Sequence, residues 1–137
     1  MIDQGSGLEI RLPILGESAG GLERLPVTRL GPTSFRLLAS PGFVHGLAHG
    51  DVIELVDTPQ GFRVIHRSGN VCVWVTSDLP MDQKVNSFVT ELALSAGGVV
   101  DGGFADRLLI LNFAIHRVGF AAIERSMLQL EQVPTLS

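Results

Sequence analysis

The stretch VCVWVTSDLPMDQKVNSFVTELALSAGG, Val71 to Gly98, carries the change of period on which the fold class turns. Over VCVWVTS the residues Val71, Val73 and Val75 alternate with Cys72, Trp74 and Thr76, the two-residue period of a strand. Past Ser77 the period becomes helical, and Val85, Phe88, Val89, Leu92 and Ala96 fall on one face. Ser77 or Asp78 is placed to cap this helix, Pro80 suits its first turn, Asp82 favours the positive end of its dipole, and Gly97-Gly98 stops it. A strand block passes directly into a helical one, and we read an α+β protein.

Upstream, LEIRLPIL and LERLPVTRL alternate apolar with polar residues and are separated by the breaker-rich GESAGG, which predicts two strands and a loop. After Gly31-Pro32-Thr33 comes a third strand, SFRLLAS, ended by Pro41-Gly42. DVIELVDT is apolar on both faces, as a strand buried on two sides is. FRVIHRS follows the turn signal Thr58-Pro59-Gln60-Gly61, and Ser68-Gly69-Asn70 predicts a tight turn that pairs it with VCVWVTS as a hairpin.

Downstream of the helix, VVDGGF and RLLILNF read as a second hairpin turning near Ala105-Asp106. Phe120, Ile123, Met127 and Leu130 then recur at helical spacing and close the chain with an amphipathic helix. The expected architecture is a twisted antiparallel sheet or small open barrel, followed by a ferredoxin-like helix-hairpin-helix segment. We expect one α+β domain over 1–137, β-rich over 8–76 and helix-hairpin-helix over 77–132, with 1–7 and 133–137 frayed.

At 137 residues, 45% apolar and 18% charged, the chain has the composition of a packed domain rather than a disordered one. Its longest apolar runs, such as LLILNFAI near Leu108, fall short of the roughly 20 residues a spanning helix requires. MIDQGSGLEI lacks the basic start and apolar stretch of a secretory signal, so a cytoplasmic location is expected. With Cys72 as the one cysteine, neither a disulfide within the chain nor a cysteine-based zinc site can form. The net charge of −4 and nine scattered arginines argue against nucleic acid as partner.

FVHGLAHGD, Phe43 to Asp51, sets two histidines four positions apart. On a helix His45 and His49 would share a face and bind one metal with Asp51. Gly46 and Gly50 oppose a helix, however, and the other reading is a turn delivering Asp51-Val52 into the sheet. His66 shares a strand face with Phe62 and Val64, which predicts partial burial, and Cys72 lacks the flanking cation of a reactive thiolate. Arg63 and Arg67 share a strand face that suits an acidic partner, with Arg24 or Arg29 as neighbours.

The segment from Arg24 to Val75 resembles a bacterial family of small proteins known as domain of unknown function 4265. The resemblance rests on Pro41, Phe43, Gly46-Leu47-Ala48, Gly50-Asp51-Val52, Gly61 and Ser68-Gly69. It implies a bacterial origin and a shared fold, and no activity. Where the family tends to carry a histidine after Ser-Gly this chain has Asn70, and Val71, Cys72 and Trp74 replace polar residues, so no role of that histidine carries over.

Without a catalytic constellation, the expected function is that of a small binding protein, with an immunity protein neutralising a toxin domain as its form. The expected anchors are Asp57, Arg63, Arg67, Asp101 and Asp106, and no cofactor is called for. Two alternatives remain open. One is a metal-dependent or acid-base enzyme using His45, His49 and Asp51. The other is a small-ligand sensor with a pocket lined by Phe88, Phe113 and Trp74.

Overall fold

The computed structural model describes residues 8–16 and 21–137. The chain divides into two compact units between Ser68 and Gly69. It is an α+β protein with two antiparallel sheets.

The first unit is a five-stranded meander: β1 (Glu9–Pro13), β2 (Leu22–Arg29), β3 (Ser34–Leu37), β4 (Val52–Leu55) and β5 (Phe62–His66), each paired with the next. Alternation in the sequence sets which face is buried. Ile10 and Leu12, Leu25 and Val27, and Phe35 and Leu37 all point into one core, joined by Ile53 and Phe62. Glu9, Arg11, Arg24 and Arg36 face outward. The sheet is curled as well as twisted, since Pro13 at the end of β1 lies against Gly61 at the start of β5. A Cβ added at Gly61 would meet Pro13 Cδ at 2.9 Å. The two edge strands therefore approach one another at that end. The expected loop between β1 and β2 lies partly outside the described residues.

The second unit begins with β6 (Asn70–Thr76), followed by α1 (Gln83–Ser95), β7 (Gly98–Phe104), β8 (Leu108–Ala114), the short α2 (Ile115–Val118) and α3 (Phe120–Leu130). Its strand order is β6-β8-β7, both neighbours antiparallel to β8. Val75, Leu109, Leu111 and Phe113 form one sheet face. Val89 and Ala93 of α1 and Ile123 and Leu130 of α3 cover it.

Four expectations are corrected. The hairpin of 62–66 with 70–76 does not form: β5 pairs with β4 and β6 with β8. The reason is a competing partner from earlier in the chain: Ser68 donates its N–H to Asp51 Oδ1 at 2.8 Å and its hydroxyl to His49 O at 2.7 Å. Helix α1 starts later than Ser77 or Asp78 would place it. Asp82 is its cap, accepting Val85 N–H at 2.8 Å, because Met81 is buried and its N–H is held by Asp106 O at 2.7 Å. Phe88 is 41% exposed and sits outside the buried stripe, which is centred on Val89 and Ala93.

Residues 133–137, finally, do not fray. Leu136 is buried in the core, and the Thr76 and Ser137 backbones exchange two hydrogen bonds of 2.9 Å. In the β7–β8 connection, Ala105 and Asp106 both have positive φ (54° and 58°), and Arg107 N–H closes the turn on Phe104 O at 3.1 Å. This is the backbone of a type I′ hairpin turn, formed without glycine.

Candidate functional site

The connection from β3 to β4, which contains FVHGLAHGD, is held by two carboxylates. Glu23 lies half-buried on β2, on the same face as Leu25 and Val27, where an acid withdrawn from water requires donors. It has three: the N–H groups of Gly42, Phe43 and Val44, at 2.7, 2.9 and 3.0 Å. Asp51, 1% exposed, holds the other end. It accepts from Ala48 N–H at 2.9 Å, from Ser68 N–H at 2.8 Å and from Ser68 Oγ at 3.1 Å, and Arg67 Nη1 lies 3.4 Å away. Arg67 also donates to Gly46 O. Between the carboxylates, Ser40 Oγ accepts His49 N–H at 2.9 Å, and Val44 and Leu47 enter the core. Hydrogen bonds to a charged group contribute about 1.5–3 kcal/mol each, so the loop's shape is strongly set.

The histidine question is answered by this bonding. Positive φ at Gly46 (85°) and Gly50 (88°) breaks any helix, so His45 and His49 do not share a helical face. The Asp51 carboxylate is committed to loop and linker. Among the described residues, no group of three or more His, Cys, Asp and Glu side chains is placed to hold a metal ion.

What the pinned loop does is present Phe43, Val44 and His45 to a cleft. Pro13 and Leu15 form one wall and Gln60 and Phe62 the other, where the edge strands of the curled sheet approach. The cleft holds about 120 Å³. It shares Leu15, Gln60 and Phe62 with a more open depression of about 780 Å³ that runs past Glu54, Thr58, Arg63 and Val64.

The outer edge of β5 borders this depression, and among the described residues no strand pairs with it. The direction of its backbone groups follows from the ladder. Leu55 donates to Thr33 O, just ahead of β3, and Val56 to Gly61 O, so β4 turns Glu54 and Val56 toward β5. Arg63, opposite Glu54, bonds inward, and Phe62 and Val64 turn their N–H and C=O groups outward. Gln60 Nε2 donates to Phe62 O at 2.9 Å, as that direction requires.

The expected anchors fall in both units. Asp57, Arg63 and Arg67 belong to the first, Asp101 and Asp106 to the second. Arg63 pairs with Glu54, and Arg63 and Arg67 keep 68% and 62% of their side chains exposed. Arg24 and Arg29 are on β2, which is not next to β5; Arg29 stacks over Phe35 at 5.0 Å from the ring centre. His66 is exposed rather than partly buried. The aromatic set Phe88, Phe113 and Trp74 does not line a pocket: Phe113 is fully buried on the helix-covered face, and Trp74, by strand alternation, points to the other.

Glu23, Leu15, Phe43, Gln60 and Phe62 were not among the expected site residues. Glu23 did carry a signal, as an acid in phase with the buried positions of an alternating strand. The cleft residues carried none, because the curl that gathers them is set by contacts between distant strands.

These features define a small α+β protein with a curled sheet and a side cleft, and no metal-ligand cluster among its described residues. The chain belongs to the family described as Domain of unknown function (DUF4265), which it matches over residues 23–137. The match extends the resemblance seen over 24–75 through the helices. No curated protein matches it. Among solved structures it is similar to a hypothetical protein from Neisseria gonorrhoeae, with a TM-score of 0.68 and 15% identity over 96% of this chain and 92% of that one. At that identity the likeness shows the fold alone. Among the described residues, no helix is long and apolar enough to cross a membrane.

Proposed function

We propose that the protein is a non-catalytic binding module that takes an extended, acidic segment of a protein partner along β5, with one apolar side chain in the adjoining cleft. The observation that carries this reading is the size of the cleft. Its 120 Å³ is well below the roughly 300–1,000 Å³ of small-molecule sites, and it suits a single side chain. The outward N–H and C=O groups of Val64 supply the hydrogen bonds of an added strand. Arg63 and Arg67 each use one terminal nitrogen of a five-donor guanidinium, which leaves donors for carboxylates of the partner. Small size and an edge strand flanked by arginines favour the immunity form of this role, with a toxin domain as partner. For the second unit, the order β6-β8-β7 with α1 joining β6 to β7 supports reading it as the greater part of a ferredoxin-like split unit.

The test is recovery of tagged protein from its own host at native expression, with wild type and Phe43→Ser handled in parallel. A stoichiometric protein held by wild type and lost from the variant is the expected result. Recovery of no protein, or equal recovery by both, removes the reading.

A further inference from the structure

Helix α3 presents a second surface, independent of the cleft. Its inner side, Ile123 and Leu130, is buried in the core of the second unit, while Phe120 and Leu128 on its outer side are 64% and 59% exposed. A depression of about 500 Å³ runs along that outer side. The exposed residues Ala121, Glu124, Arg125, Leu128 and Glu131 line it, with Ile123 and Met127 at its inner margin, and the first four stand at spacings of three, one and three, which is a single stripe on a helix. Neither Glu124 nor Arg125 forms an ion pair with another described residue.

The stripe is self-complementary. If a second copy of α3 packs antiparallel across a two-fold axis passing between positions 124 and 125, Glu124 meets the partner's Arg125 and Arg125 meets the partner's Glu124. In the same register Ala121 faces the partner's Leu128, a small residue against a large one, which lets the helices approach to the 8–10 Å typical of packed pairs. Size and charge agree on one register, and it is an isologous one, as a two-fold dimer requires.

We propose that α3 is a homodimerisation surface, with a second copy of this chain as its occupant and the reciprocal Glu124–Arg125 pairs as its register. Charge reversal in the full chain tests this, read by sedimentation equilibrium over a wide concentration range. Wild type is expected to show a monomer–dimer equilibrium. Glu124→Arg alone and Arg125→Glu alone each replace two attractions by two repulsions and are expected to weaken the dimer by about tenfold or more. The double variant Glu124→Arg/Arg125→Glu restores it, and an equimolar mixture of the two single variants forms a heterodimer. Both positions are exposed, so an unchanged circular dichroism spectrum is the control for folding. A wild type that stays monomeric throughout, as it will if a different protein covers this face, overturns the proposal. So does a double variant no better than the singles.

Discussion

Replacing Asp51 by alanine separates a structural carboxylate from a metal ligand. The substitution removes the acceptor of the Ala48 and Ser68 amides and of the Ser68 hydroxyl, and takes the counter-charge from Arg67. A buried donor left without an acceptor costs about 1–3 kcal/mol. Two amides on this scale, with the hydroxyl still bonded to His49 O, give a loss of about 2–6 kcal/mol, and Arg67, 62% exposed, adds little to it. With a urea slope of about 1.5 kcal/mol per molar, the midpoint falls by about 1–4 M. Far-UV circular dichroism follows the transition, and native-state hydrogen exchange assigns it to the first unit through the amides of Ala48 and Ser68. Asp51→Asn keeps the shape but sets an amide donor against a donor, and falls between alanine and wild type. His45→Ala, at an exposed position, stays within about 1 kcal/mol of wild type. An Asp51→Ala protein with the wild-type midpoint and unchanged exchange at these amides would refute the reasoning.

Other substitutions test other parts of the account. Glu23→Gln turns an amide group toward the N–H groups of residues 42–44 and costs about 1–3 kcal/mol by urea unfolding; no change would mean that this carboxylate does not hold the loop. Gly98→Ala places a Cβ 2.5 Å from the ring of the fully buried Phe113 and 2.9 Å from Asn112 O, and a destabilisation of about 1–3 kcal/mol is expected in thermal unfolding. A neutral result would show that β7 and β8 are not so closely paired. Ala105→Gly relieves a left-handed alanine in the β7–β8 turn and raises the melting temperature by the equivalent of up to about 1 kcal/mol; a lowered one contradicts the turn described.

The sequence was most legible where one rule acted alone. In β1 and β2, the alternation read in LEIRLPIL and LERLPVTRL sets Ile10 and Leu12, and Leu25 and Val27, in phase on one face, and all four are in the core. Gly97 after α1 marked its end for a local steric reason, with φ at 87°. Reading failed where a local signal met a distant partner. Ser68-Gly69-Asn70 has the composition of a tight turn, yet Asp51, far back in the sequence, takes Ser68, and the strands on either side join different sheets. Phe88 satisfies the helical period but lies beside the stripe, centred on Val89 and Ala93, that packs into the core. Among the candidate residues, the arginines of the β5 segment were visible as charge. The cleft between Pro13, Phe43 and Phe62 was not, since nothing local encodes how far a sheet curls.

The central claim is that the cleft and the β5 edge bind an extended segment of a protein. Selection of displayed random peptides on the full-length protein tests it most directly, with each winner's affinity then measured on wild type, Phe43→Ser and Arg63→Glu. The account predicts peptides sharing one apolar residue beside acidic ones, with affinity reduced at least about tenfold by either substitution. Selection that yields no common pattern, or peptides that bind both variants as tightly as wild type, would contradict it.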